Sequence, residues 1–316
     1  MHTANSILVI RLSAMGDVAM VATTIREAAL SHPDICYTLL SRTKMKALLD
    51  YLPNNVRFVA YGDKIDWHLY DQVVDAHSVW RSWRIDAQAL WHHVRVRCIH
   101  KPRIARWLYT HFHVGRVPTM YTLYRALLAL EPISTQPISA NTVAQRKDIG
   151  IAPFAAHQGK IYPLDKMERI VQAMGEYLNA RQEKVLLFGA GEKEENILQQ
   201  WEQKYLGVEC VAGKGTLQQE LDTISHLRLM LTMDSGNMHF ASLVNTRVVS
   251  IWGATHPNTG FLGYGQSQED CIQRNLKCRP CSIYGKKLCK YKDYRCMDID
   301  PGKIIEHISH ILCTSN

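Results

Sequence analysis

Short apolar runs separated by amphipathic stretches recur along the whole chain. Ser6-Ile-Leu-Val-Ile10 is a continuous run rich in β-branched residues and reads as a buried strand, with a helix following over residues 19–29. Residues 37–40, 56–61 and 72–75 repeat the strand pattern, and 43–51 forms a helix between the first two. Farther along, 149–153, 184–188, 209–212, 229–233 and 248–252 read as strands, while 164–181, 216–225 and 301–312 read as helices. Short strands alternating with helices imply βαβ units, hence an α/β protein with mostly parallel sheets. Residues 131–147 are polar, carry Pro132 and Pro137, and lack any periodicity, so they read as a linker or domain edge. The expected division is a domain over 1–145 and a second over 146–316, both Rossmann-like, with the last helix crossing back to the first domain.

Composition changes this picture in three ways. A length of 316 residues suits two domains of ordinary size, and no stretch of about 18 apolar residues appears that would cross a membrane. The first strand begins almost at once, without a secretory pattern, which points to a cytoplasmic protein whose nine cysteines are thiols or metal ligands rather than disulfides. The net charge of +8 calls for an anionic partner.

That charge is concentrated. Between His77 and Arg125 lie nine Lys/Arg against one acid, Asp86, with Trp80, Trp83, Trp91 and Trp107 interleaved. Such a mixture suits a phosphorylated glycolipid at a bilayer surface, where Trp settles at the interface and Arg meets phosphate. It equally suits single-stranded nucleic acid, or a solvated basic face whose tryptophans pack inward. The six histidines of the segment, His77, His92, His93, His100, His111 and His113, lack metal-ligand spacing and read as surface residues.

Chemistry-bearing residues fall at strand ends. The turn after the first strand, Arg11-Leu-Ser-Ala-Met-Gly-Asp-Val18, has the lone glycine Gly16, so neither a dinucleotide fingerprint nor a P-loop is present. Asp17 stands where open α/β sheets place ligands, or else caps the helix. Asp234-Ser235-Gly236-Asn237 joins the strand at 229–233 to a helix carrying His239. Such a turn offers backbone N–H groups and a positive dipole end to a phosphate, or is an ordinary capped crossover. Lys160 lies in a loop before Tyr162-Pro163, and Glu192, Glu194 and Glu195 follow Gly189-Ala-Gly191 at a helix start. Cys278-Arg-Pro-Cys281, Cys289 and Cys296 read as a structural zinc set, as free thiols, or as a redox or disulfide group.

Two of these stretches carry a resemblance. Asp234-Ser-Gly-x-x-His239, an apolar strand and Trp252-Gly-Ala-Thr-His-Pro257 resemble the C-terminal motif of the ADP-heptose:lipopolysaccharide heptosyltransferases, glycosyltransferase family nine, with Ser235 standing where threonine is common. Arg11, Ser13, Gly16, Asp17 and Val18 match that family's N-terminal signature after the first strand. The resemblance implies a GT-B fold of two Rossmann-like domains facing across a cleft, the first binding the acceptor and the second the nucleotide sugar. It implies an inverting transfer of heptose from ADP-heptose to a lipopolysaccharide core acceptor at the inner membrane's cytoplasmic face, with no cofactor needed for catalysis. By the same resemblance Asp17 is the general base, while Lys160, Asp234, Ser235 and Gly236 face the donor diphosphate. Glu194 meets the ribose, His239 orients the turn, and Arg103, Arg106 and Arg116 are candidates to grip acidic groups of the acceptor. The alternatives from other classes are a non-catalytic nucleic-acid-binding protein using the basic Trp-rich segment, although no nucleic acid is expected, and a dehydrogenase, which the missing glycine fingerprint disfavours.

Overall fold

The computed structural model describes residues 5–115, 117–131 and 146–314. The described residues within Met1–Pro102 and Pro118–Ser134 form one unit, and those within Arg103–Val117 and Thr135–Asn316 form the other. Most of the expected linker, 131–147, lies outside the described residues.

The first unit is built on a sheet of β1 (Ser6–Ile10), β2 (Cys36–Ser41), β3 (Val56–Ala60), β4 (Gln72–Asp75) and β5 (Arg95–Cys98), in the order β3-β2-β1-β4-β5 and parallel throughout. Helix α1 (Met15–Ser31) follows β1, and a 3-10 helix over Thr43–Tyr51 replaces the expected α-helix after β2. Helix α2 (Trp80–Trp91) follows β4. Leu8, Ile10, Leu40, Val73, Ile85 and Ala89 share one core, so the apolar face of α2 closes over strand side chains. Helix α1 begins earlier than the apolar pattern suggests because the Asp17 carboxylate accepts the Ala14 backbone N–H at 3.2 Å, which fixes its first turn.

Helix α3 (Arg103–Phe112) leaves this unit and clusters with the second, while α4 (Met120–Leu127) returns to pack on α1, where Arg125 pairs with Glu27. The basic segment is thus a helix, a strand and two further helices.

The second unit holds β6 (Lys147–Ala152), α5 (Leu164–Asn179), β7 (Val185–Leu187), α6 (Glu192–Lys204), β8 (Val208–Cys210), α7 (Leu217–Ser225), β9 (Leu227–Met233), α8 (Gly236–Leu243), β10 (Arg247–Trp252), β11 (Cys271–Gln273) and α9 (Pro301–Thr314). Its sheet runs β11-β10-β9-β6-β7-β8, again parallel throughout. All seven residues of β9 are buried, as expected of a central parallel strand covered on both faces. Helix α9, expected to return to the first domain, packs on α5 and lays Ile304, Ile308, Ile311 and Leu312 into the second unit's core.

Candidate functional site

Each sheet has one point where the strand order reverses, and an open α/β sheet binds its ligands beyond the carboxyl ends of the strands at that point. In the first unit the point lies between β1 and β4; in the second, between β6 and β9. Both hold the charged groups that the sequence singled out.

Beyond β1 and β4 the chain brings together Arg11, Ser13, Asp17, Asp75 and His77. Arg11 is buried; its Nη2 meets Asp17 Oδ2 at 2.6 Å and its Nη1 donates to the Ala76 carbonyl at 2.7 Å. The guanidinium therefore ties the turn after β1 to the turn after β4. Asp17 is half-buried, held in place by Arg11 and the Ala14 N–H through one oxygen. His77 corrects the surface reading given to it: it is buried, because the Asp75 carboxylate takes its backbone N–H at 2.7 Å and that of Ser78 at 2.8 Å, folding the chain inward. Its Nε2 stands 3.5 Å from Ser13 Oγ, and Lys101 Nζ donates to its carbonyl at 2.6 Å. Burial first, then the nearby Arg11 and Lys101 charges, push the imidazole down to about 4, so His77 is neutral near pH 7. The other five histidines of the segment are exposed.

Beneath this turn, Asp75, Asp86 and Cys98 are, among the described residues, the one group of three metal-type side chains with ligand atoms within 4.8 Å of one another. Asp75 already accepts from two backbone N–H groups and from Ser82 Oγ at 2.7 Å. Burial, the Asp75 charge and the hydrogen bond between the two carboxyls, opposed by the Cys98 thiol, push Asp86 up to about 7.

In the second unit Lys160 follows β6 and Asp234 follows β9. Lys160 Nζ lies 2.8 Å from Asp234 Oδ2, with the lysine side chain 16% exposed and the aspartate 5%. Ser235 is the N-cap residue of α8, yet its hydroxyl turns to Thr232 Oγ1 at 3.0 Å and no side chain caps the helix. The first turn of α8 therefore presents backbone N–H groups with a lysine ammonium nearby, an arrangement that attracts a phosphate. Gly236 opens this turn and His239 is buried within α8. Gly285, at φ +76°, lies under the Lys160 side chain, where a Cβ would come within 2.7 Å of Cγ. That glycine gives the lysine its course to Asp234.

Glu194 and Glu195 close the start of their own helix. Glu194 Oε2 accepts from Ala190 N at 2.9 Å and Glu195 Oε1 from Gly191 N at 3.1 Å. A cavity of about 270 Å³ opens beside them, lined by Phe188, Gly189, Val211, Ala212, Gly213 and Thr216 among others. Its size lies near the lower end of small-molecule sites, about 300 Å³. Of these residues the sequence reading singled out only Gly189; the loop Gly213-Lys-Gly215 before a capped helix was the available signal.

The cysteine segment braces the site. Buried Arg279 donates through Nη2 to the carbonyls of Trp252 at 3.0 Å and Thr255 at 2.9 Å, and through Nε to that of Gly253. Cys281 N and Ser282 N both donate to the Ala254 carbonyl, and Ala254 N in turn to the Gly159 carbonyl at 2.8 Å. The Cys278–Cys281 stretch thereby fixes the Trp252–Pro257 loop against the turn that carries Lys160. The zinc expectation fares less well: no three of the Cys278, Cys281, Cys289 and Cys296 sulfurs lie within 4.8 Å of one another.

Of the candidate acceptor residues, Arg103 is exposed and Arg116 lies outside the described residues. Arg106 is buried, its guanidinium 4.8 Å over the Phe261 ring and its Nη1 3.3 Å from Tyr284 Oη.

Two parallel-sheet α/β units, each with its charged residues at the strand-order reversal, make up the GT-B fold, the architecture of many nucleotide-sugar glycosyltransferases. The E. coli ADP-heptose lipopolysaccharide heptosyltransferase II has the same fold, with a TM-score of 0.70 at 18% identity, over 98% of this chain and 99% of that one. So does a glycosyltransferase family 9 protein of Veillonella parvula, with a TM-score of 0.71 at 17% identity, over 98% and 97%. The family model of glycosyltransferase family 9 (heptosyltransferase) matches residues 76–292, and the chain belongs to that family. Lipooligosaccharide heptosyltransferase 2 of Campylobacter jejuni is 30% identical over 132 residues, a match spanning 40% of this chain and 40% of that relative.

Proposed function

We propose that this protein moves heptose from ADP-heptose onto a phosphorylated, lipid-linked core saccharide, with inversion at the anomeric carbon. The observation that carries the reading is the pairing at the β6/β9 reversal: Lys160 beside an α8 N-terminus that no side chain caps. Family membership and the names of the E. coli and Campylobacter relatives support the choice of donor and acceptor.

In this reading the acceptor hydroxyl oxygen attacks the anomeric carbon while the bond to the diphosphate oxygen breaks. Its proton passes to Asp17, and the electron pair leaves on the β-phosphate of ADP. Arg11 holds the Asp17 carboxylate in place. Lys160 and the N–H groups at Ser235 and Gly236 meet the charge that grows on the leaving diphosphate. Asp234 holds the lysine, and His239 packs α8 behind the turn. The 270 Å³ cavity takes the nucleoside, with Glu194 behind its lining residue Gly189. Acceptor phosphates fall to Arg103 and the basic segment around it. No catalytic step uses a metal. No helix among the described residues is long and apolar enough to cross a membrane, and the acceptor reading implies work at the cytoplasmic face of the inner membrane.

The deciding experiment is a thermal-shift comparison of ADP, UDP, GDP and their sugar conjugates, followed by a transfer assay. ADP-heptose should raise the melting temperature most, and a ligand present at 100 times its Kd adds about 2.7 kcal/mol. A response to UDP or GDP conjugates alone would remove the donor assignment.

The four cysteines remain suited in type to a structural metal. Buried Arg279 has only carbonyl oxygens among its hydrogen-bond acceptors, so cysteine thiolates on a metal would supply the missing negative charge. Zinc or iron held there would brace the Trp252–Pro257 loop and take no part in transfer. Elemental analysis of the purified protein should find a single ion per chain, and stripping it should lower the melting temperature. A metal-free protein of unchanged melting temperature would discard the site.

A further inference from the structure

Helix α3 is polarised opposite to a helix that serves a domain core. Its inward side carries the charged Arg106 and the ring of Tyr109, which meets His256 edge-on at 6.2 Å. Its outward side carries Ile104 at 77% exposure, Trp107 at 52%, Leu108 at 37% and Phe112 at 60%. These positions follow i, i+3, i+4 and i+8, one continuous stripe of the helix. Trp107 stacks on His111 at 4.9 Å and meets Phe112 edge-on at 5.5 Å, so the stripe is a packed aromatic cluster on the surface. Single exposed apolar residues need no explanation, whereas a contiguous stripe marks an interaction site.

Charge decides the occupant. From Ala87 to Leu130 the sequence has seven Lys/Arg and no Asp or Glu. A second copy docking by the same face would set basic segment against basic segment. An anionic bilayer complements both properties: Trp and Phe settle at the headgroup boundary, and each nearby Lys or Arg adds attraction to the anionic headgroups. We propose that α3 is an in-plane membrane anchor, laying Ile104, Trp107, Leu108 and Phe112 into the surface of a bilayer containing anionic phospholipid, with Arg103 among the headgroups. The preference for lipid over a protein partner rests in part on the proposed lipid-linked acceptor. The contact itself does not depend on transfer.

The test is co-sedimentation of the full chain with vesicles of phosphatidylcholine alone and with phosphatidylglycerol mixed in. The unaltered protein should bind the anionic vesicles at least roughly tenfold better, and added salt should weaken the binding. A variant carrying Ile104→Ser, Trp107→Ser, Leu108→Ser and Phe112→Ser should lose roughly tenfold or more in partitioning with its melting temperature unchanged. Should that variant melt early, quenching of Trp107 fluorescence by brominated lipid, read against Trp107→Phe, decides instead. Equal binding of variant and parent, equal binding to both vesicle types, or vesicle-free self-association or oligonucleotide binding that the variant abolishes would each overturn the anchor. If the protein binds anionic vesicles but transfers nothing from ADP-heptose, the anchor stands and the transferase reading fails.

Discussion

Asp17→Asn is expected to lower transfer from ADP-heptose by roughly 10²–10⁴, the range that a positioned general base contributes. Nucleotide affinity should stay near the parent value, since Asp17 belongs to the first unit and the proposed ADP site to the second. Asparagine is preferable to alanine because its amide oxygen can still accept from Ala14 N and from Arg11, which holds the start of α1 in place. The salt link to Arg11 is lost, and a modest fall in melting temperature should follow. Single-turnover rates with pre-bound donor separate the chemical step from binding. Turnover within a few-fold of the parent would remove Asp17 as the base and leave it a helix-capping residue.

Lys160→Met should act on both stability and chemistry. It strands the carboxylate of Asp234, whose side chain is 5% exposed, and breaking one partner of such a pair costs about 3 kcal/mol once partial exposure of the lysine is allowed for. It also removes a cation from the leaving group, which is expected to lower kcat by roughly 10²–10³. The second change Asp234→Asn separates the two effects. Lys160→Met with Asp234→Asn should regain most of the melting temperature, because no buried charge is left unpaired, and should remain defective in transfer. Recovery of activity in the double variant would show that the lysine only neutralises its neighbour.

The strands and turns legible in the sequence are those whose signal is local. Strand β1 is continuous in apolar character, and Asp17 follows it within one turn; Asp234 stands at the same place after β9. Both pairs of strand and turn announce themselves without any knowledge of the sheet. The partners that complete them come from elsewhere in the chain. His77 is separated from Ser13 by 64 positions and looked like one more histidine in a basic segment. Its burial follows from Asp75 capturing the next two backbone N–H groups, which no periodicity reveals. Arg279 was part of a cysteine motif in sequence and in the fold is the clamp on a loop 24 to 27 positions away. That no three of the four sulfurs lie within 4.8 Å of one another was equally invisible, since sequence gaps say nothing about distances between loops.

The sequence by itself determined the α/β class, the parallel strands, the turns that carry Asp17 and Asp234, and the family, because each depends on residues within a few positions of one another. Only the tertiary structure decided which strands meet at the order reversal, and therefore that Lys160 answers Asp234 and that Arg11 ties the turn after β1 to Ala76 after β4. It alone turned α3 inside out, with an arginine against Phe261 and its apolar stripe toward solvent. Amphipathic spacing fixes where the two faces of a helix lie; which face meets the core is settled by the surface it packs on.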